Sequence, residues 1–293
     1  MATTLLAVVL VLVAARTLPD LARLRDFAWL KAWLASWSGN GRERAAPALV
    51  VPIIVVAVCG LVQVALSGWL FGLPAFAFAV AVLYYAWGPR DLEEDIGQVL
   101  QAADADRRRE AAQALRPEPA DRALPTDAAC LVEATFQSAL SRWFGVLFWF
   151  AILGPAGALG YRIVQLMART PVFRDELSAS DRNLFERIAL ALDWAPAHLV
   201  ALTLALVSDF DPVVRTWREY HATHGRGYFT LDLGFLGALA RASVDADVIA
   251  GDGYATDVTD PVVELTDARV VLWRILIAWL AILAVIVLAG WVH

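Results

Sequence analysis

The stretch Trp143–Arg162, WFGVLFWFAILGPAGALGYR, is apolar over a length that can cross a bilayer. It nevertheless carries a Gly-Pro break at its centre and an arginine at its end. In hydrocarbon every backbone N–H and C=O has to be satisfied within the protein, so such a segment folds as helix and its break needs shelter. Pro155 supplies no N–H and frees a carbonyl in the preceding turn. Gly154, Gly157 and Gly160 place small residues about one turn apart, where another helix can approach closely. Arg162 costs roughly 2.5–3.5 kcal/mol in lipid unless it is paired or reaches the interface.

The rest of the chain agrees with a membrane setting. Of 293 residues, 59% are hydrophobic and 18% charged, and the mean hydropathy is +0.59. These values exclude an ordinary soluble domain. The 12 tryptophans suit membrane–water boundaries. A net charge of −6 argues against nucleic acid as a partner. Two cysteines, Cys59 and Cys130, make neither a disulfide framework nor a metal cluster.

The pattern predicts an all-α polytopic bundle of four to five spans, with interfacial or re-entrant helices and helical cytoplasmic insertions. It reads as one membrane domain over 1–293. Spans are expected near 3–18, 48–66, 69–87, 143–167 and 270–291. The first has no basic residue ahead of it and reads as a retained membrane helix rather than a signal peptide. Its apolar part is short, roughly 21 Å at 1.5 Å per residue. Residues 19–46 are basic and aromatic and fit a helix lying on the headgroups. Residues 90–141 read as a soluble insertion and 168–269 as an interfacial or re-entrant region. Within the latter, Asp193, Pro196 and His198 interrupt a long apolar run, which reads as a broken or sheltered helix. Residues 245–268 are acidic and turn-rich and read as a loop. The basic residues of 16–46 and 90–142 place both regions in the cytoplasm.

Familiar catalytic signatures are missing: the sequence holds no P-loop, no GxGxxG after a strand, no HExxH and no GxSxG. His221 and His224 share a helical face near Glu219, and the spacing reads as a polar helix end; no metal site is assigned. More telling are polar residues in apolar context: Glu133, Arg142, Tyr161, Arg162, Asp193 and His198. An ion pair between Arg162 and Asp193 is physically attractive. It would either fix helix packing or line a pocket in which Arg162 receives an anion.

Two blocks carry a family resemblance. The first is Glu133, Phe148-Trp149, Gly154-Pro155, Gly157-Ala158 and Tyr161-Arg162; the second is Leu192-Asp193-Trp194 and Pro196. Together they resemble the AmpE family, inner-membrane proteins associated with control of chromosomal β-lactamase induction. AmpE proteins are in turn similar to the CobD/CbiB family of cobalamin biosynthesis, whose enzymes form an amide in an ATP-dependent reaction. Where those enzymes carry an Asn and an Asp between the glutamate and the Phe-Trp pair, this chain has Ser138 and Ser141. Their polar run after Tyr-Arg is replaced by Gln165-Leu166-Met167-Ala168-Arg169, and an expected arginine appears as His198.

The resemblance implies an inner-membrane, multi-pass regulatory protein of β-lactamase induction or the cell-wall stress response, without synthase activity. An ATP-dependent amide-forming synthase and a structural membrane adaptor are the alternatives. Ligand-binding candidates are Glu133, Tyr161, Arg162, Asp193 and His198. Phe148, Trp149, Gly154, Pro155, Gly157, Trp194 and Pro196 form the structural motif. Expected partners are membrane lipids, a second copy of the chain, and a small anionic or cell-wall-derived ligand. No cofactor is assigned, and ATP with magnesium follows only if synthase chemistry is retained.

Overall fold

The computed structural model describes residues 2–17, 25–38, 47–68, 72–88, 91–116, 124–223, 227–250 and 260–289. Among them there is no strand. The helices are α1 (Ala2–Thr17), α2 (Ala28–Ser38), α3 (Pro47–Leu66), α4 (Leu73–Ala86), α5 (Leu92–Leu100), α6 (Ala105–Ala112) and α7 (Ala128–Ala139). After them come α8 (Gly145–Leu153), α9 (Pro155–Arg169), α10 (Pro171–Arg174), α11 (Ala179–Val207), α12 (Phe210–Thr223), α13 (Gly234–Ala250) and α14 (Pro261–Leu288). The expected all-α membrane bundle is therefore what the chain forms.

Four stretches are long and apolar enough to cross a membrane: Ala48–Leu66, Ala128–Leu153, Ala179–Val207 and Pro261–Leu288. Only 17% of the apolar window in Ala48–Leu66 is buried, whereas 61% of that in Ala128–Leu153 is. The first is therefore largely exposed and the second largely buried. α1 and α4 are shorter apolar helices.

Several boundaries differ from the sequence expectation. The run near 143–167 is not one helix. Asp127 caps α7 through its side chain and the Cys130 N–H (3.2 Å), and the helix continues through a π turn at Leu140–Phe144 into α8. The chain then breaks at Gly154, whose φ of +68° suits glycine, and α9 begins on Pro155. The expected insertion at 90–141 therefore ends inside a continuous helix. The expected interruption at Asp193–His198 is also absent, since α11 runs unbroken through Pro196. Part of the expected loop at 245–268 is helical, because α13 reaches Ala250 and α14 starts at Pro261. The third expected span, 69–87, is helical from Leu73, and 69–71 lie outside the described residues. Of the expected interfacial helix in 19–46, α2 is described, whereas Arg23, Arg42 and Arg44 lie outside the described residues.

The chain divides into two compact units. The first comprises Met1–Arg90, Gly145–Leu192 and Ala284–His293. Its core joins Phe27 and Leu30 to Ile163, Met167, Phe185 and Ala189. Here α9 packs on α3, α4 and α8. The glycines expected to admit a neighbour admit one from the same chain: a Cβ at Gly160 would lie 2.8 Å from Val56 Cγ2, and one at Gly154 would lie 2.7 Å from Gln63 Nε2.

The second unit comprises Asp91–Phe144 and Asp193–Leu283. In it α13 packs on α7 and α12 around buried Leu131, Phe136, Leu236 and Leu239. Aromatic contacts fasten α14: Phe144 lies on Trp279 (5.1 Å between centroids) and Trp143 on Trp273 (5.8 Å). The Trp279 indole donates to Thr203 Oγ1 at 3.0 Å.

Candidate functional site

In the first unit Arg162 reaches the C-terminal end of α4. A helix ends with carbonyls that have no intrahelical donor and with a partial negative charge, so a cation is favoured there. Arg162, only 5% exposed, donates through Nε to the Ala86 carbonyl (2.6 Å) and through Nη2 to that of Trp87 (3.0 Å). Arg25 donates to the next carbonyl, Gly88 O, at 3.3 Å. Successive carbonyls are thus covered by guanidinium groups from two distant parts of the chain. Gly88 adopts φ +108°, and a Cβ there would press on the Arg162 guanidinium at 3.1 Å. Glycine is needed on both counts.

Tyr161 is buried, and its ring and hydroxyl occupy the space that a side chain at Gly145 would fill. The Phe148 and Trp149 rings meet edge to face at 5.2 Å. The Trp149 carbonyl closes over Gly157, which has no room for a Cβ, so α8 and α9 can turn tightly at the Gly154-Pro155 break. The Trp149 indole donates to the Leu192 carbonyl at 3.1 Å. That carbonyl is the one whose helical partner would be the N–H of residue 196, and Pro196 has none. The indole therefore satisfies the acceptor that proline leaves open, which explains why α11 does not break.

Glu133, Asp193 and His198 belong to the second unit. Glu133 pairs with Arg241 Nε at 2.9 Å and lies over Gly237, where a Cβ would come within 2.9 Å of its Cγ. Asp193 is fully buried. His198 Nδ1 bonds the Trp194 carbonyl at 2.8 Å, and its ring packs on Trp194 and Phe235 at 4.4 and 4.8 Å. The Trp194 indole donates to Tyr228 O at 3.2 Å and so holds the segment entering α13. Glu133 and His198 thus have separate partners within this unit, as Tyr161 and Arg162 have in the other.

Glu93, Asp95, Arg269 and Trp273, missed from the sequence, complete the polar framework together with Arg142, Ser138 and Ser141. Buried Asp95 pairs with Arg142 Nη1 at 2.6 Å, and Arg142 Nη2 donates to Ala114 O at 2.6 Å. Glu93 accepts from Arg269 Nε at 2.6 Å and from the Trp273 indole at 3.2 Å. Ser138 donates to Leu115 O (2.7 Å) and Ser141 to Ser138 O (3.1 Å). Only the Pro196 contact had a sequence signal, since a proline inside a helix implies an open carbonyl four residues earlier.

Magnesium takes oxygen ligands, with one or two carboxylates as protein donors. Glu93, Asp95 and Glu133 are each paired with an arginine. Among the described residues no three His, Cys, Asp or Glu side chains gather to hold a metal ion.

A family model described as CobD/Cbib protein matches residues 5–226 of the chain. Comparison with curated proteins returned no match, and comparison with solved structures returned none.

Proposed function

The chain belongs to the CobD/CbiB family, and from that premise we propose that it uses the family scaffold as a membrane regulatory protein rather than as a synthase. It is a multi-pass membrane protein by its spans and its family. The role we assign is AmpE-like: control of β-lactamase induction or of the cell-wall stress response, from the inner membrane.

The observation that carries this reading is the use made of Ser138 and Ser141. The synthases carry an amide and a carboxylate at these positions, groups suited to polarising a phosphate through a metal. Here both hydroxyls donate to backbone carbonyls, Ser138 to Leu115 and Ser141 to Ser138 within its own helix. Arg162 likewise supports a helix end, and Glu133 is held by Arg241. The ligand we propose for the regulatory role is a small anion or a cell-wall-derived molecule.

Family membership favours a second reading, an ATP-dependent amide-forming synthase with another substrate, because Glu133 and Arg162 are retained. Purified full-length protein separates the two. The regulatory reading expects no magnesium-dependent ATP binding or turnover. Saturable ATP binding that requires magnesium would replace it with the synthase.

A further inference from the structure

We propose that residues 193–207 of α11, together with α12, lie along the membrane surface, with the exposed stripe Leu199, Leu202 and Leu206 set into the headgroup–acyl boundary of the bilayer. This inference stands apart from the regulatory reading, since it concerns only how one helical hairpin meets lipid.

Within the second unit α11 and α12 pack side by side. The His198 and Trp217 rings lie 6.0 Å apart, and Phe235 of α13 packs on both, at 4.8 and 6.1 Å. His198 precedes the end of α11 at Val207, and Trp217 follows the start of α12 at Phe210 by a similar distance. α12 therefore folds back along α11. At the turn the Ser208 hydroxyl donates to Leu204 O at 2.6 Å.

The two arms expose opposite chemistry. On α11, Leu199, Leu202 and Leu206 are 41, 51 and 74% exposed, and their spacing sets them on one face. Val200, Ala201, Leu204 and Ala205, on the other face, are buried. On the turn and α12, Asp209, Asp211, Arg215, Arg218 and Glu219 are exposed, while Val213 and His221 are buried.

Length and composition permit α11 to cross a bilayer. A crossing by residues 193–207 would carry α12 with it and set the exposed charges of α12 in hydrocarbon, where each is costly. In water, the leucine stripe would stay unburied. A hairpin that is apolar along one arm and charged along the other meets both demands by lying in the interface plane, as amphipathic helices do.

The neighbour of α11 selects lipid as the occupant of the stripe. The Trp279 indole of α14 donates to Thr203 Oγ1, a residue within the length of the stripe. α14 is long and apolar enough to cross, and Ile277 and Ile282, on either side of Trp279, are exposed. The helix that bears the stripe is thus fastened to a span at a tryptophan, a residue type favoured at membrane–water boundaries.

The test uses the full-length protein in nanodiscs of phosphatidylcholine and phosphatidylglycerol. Nitroxide labels are placed one at a time through Leu199→Cys, Leu202→Cys, Leu206→Cys and Arg215→Cys in a Cys130→Ser background; Cys59 is buried. Collision with oxygen and with a water-soluble nickel chelate gives the depth of each label. The three stripe labels are expected at one depth, within about 3 Å, the rise of two residues, with the Arg215 label in water. A depth that changes by about 10 Å from Leu199 to Leu206, at about 1.5 Å per residue, means a crossing and overturns the proposal. So does free access of nickel to the stripe, which places it in water, or exclusion of both reagents, which places it under protein such as a second copy. Unsubstituted protein gives an independent reading. Phosphatidylcholine with a diazirine close to its headgroup is expected to cross-link to residues 199–206, and lipid with the diazirine at the end of its acyl chain is not. The reverse pattern, or no cross-link to this segment from either lipid, overturns the proposal.

Discussion

The Trp149 indole donates to the Leu192 carbonyl, the acceptor that Pro196 deprives of its helical N–H. One side chain on α8 thus supplies what a proline four residues further along α11 withholds. The relationship joins the two sequence blocks that carry the family resemblance. It predicts a coupled pair. Trp149→Phe should destabilise the protein by about 0.5–1.5 kcal/mol, the loss of one part-buried hydrogen bond. In a Pro196→Ala background, where the helix has its own donor, the same change should cost much less. A double-mutant cycle on detergent-solubilised protein, read by unfolding, measures the coupling.

Arg162 supports the end of α4 through two charge-assisted hydrogen bonds. Arg162→Ala removes both and leaves the Ala86 and Trp87 carbonyls without those donors. Folded protein recovered from membranes should fall steeply. Arg162→Lys keeps the charge but offers a single point donor in place of a fork, so recovery should be intermediate. Size-exclusion profiles of a fluorescent fusion report the order.

Much of the fold was legible because apolar length and helical periodicity are local properties. The all-α class, the apolar helices at Ala48–Leu66 and Pro261–Leu288 and the break at Gly154-Pro155 follow from composition and from two residues with unusual backbones, whereas Ala128–Leu153 and Ala179–Val207 were not expected as span-length helices. The continuity of α11 was not legible, because it depends on an indole 43 residues earlier in the chain. Nor was the role of Arg25, whose acceptor lies 63 residues away. Arg162 drew attention through its cost in lipid, but its carbonyl partners come from another helix. Ser138 and Ser141 could be recognised as departures from the synthase pattern, whereas the donation of Ser138 to Leu115 O required the fold.

Two glycines give opposite expectations. At Gly145 a Cβ would overlap the ring and hydroxyl of buried Tyr161, so Gly145→Ala should displace that ring and destabilise the protein by about 1–3 kcal/mol. At Gly97, inside α5, a Cβ would meet nothing within 4 Å. Gly97→Ala should stabilise by about 0.5–1 kcal/mol through backbone entropy. Thermal midpoints of the two variants should move in opposite directions.

Asp95 and Arg142 form a buried pair, with side-chain exposures of 1% and 16%. Removing the carboxylate breaks a charge-assisted hydrogen bond that contributes about 1.5–3 kcal/mol, while Arg142 keeps its bond to Ala114 O. Asp95→Ala should therefore lower folded yield strongly. Asp95→Asn, which still offers an oxygen to Arg142 Nη1, should be milder. Limited proteolysis between α5 and α7 reads the difference, since Arg142 also binds Ala114 O.

Induction of β-lactamase tests the regulatory account most directly. In the source organism, the gene is deleted and β-lactamase activity is measured before and after a sublethal β-lactam, with the wild-type chain and Arg162→Lys supplied in trans. The account predicts that deletion alters induction and that the wild-type chain restores it, while magnesium-dependent ATP turnover is absent from the purified protein. Induction unchanged by deletion, with β-lactam tolerance also unchanged, would contradict it.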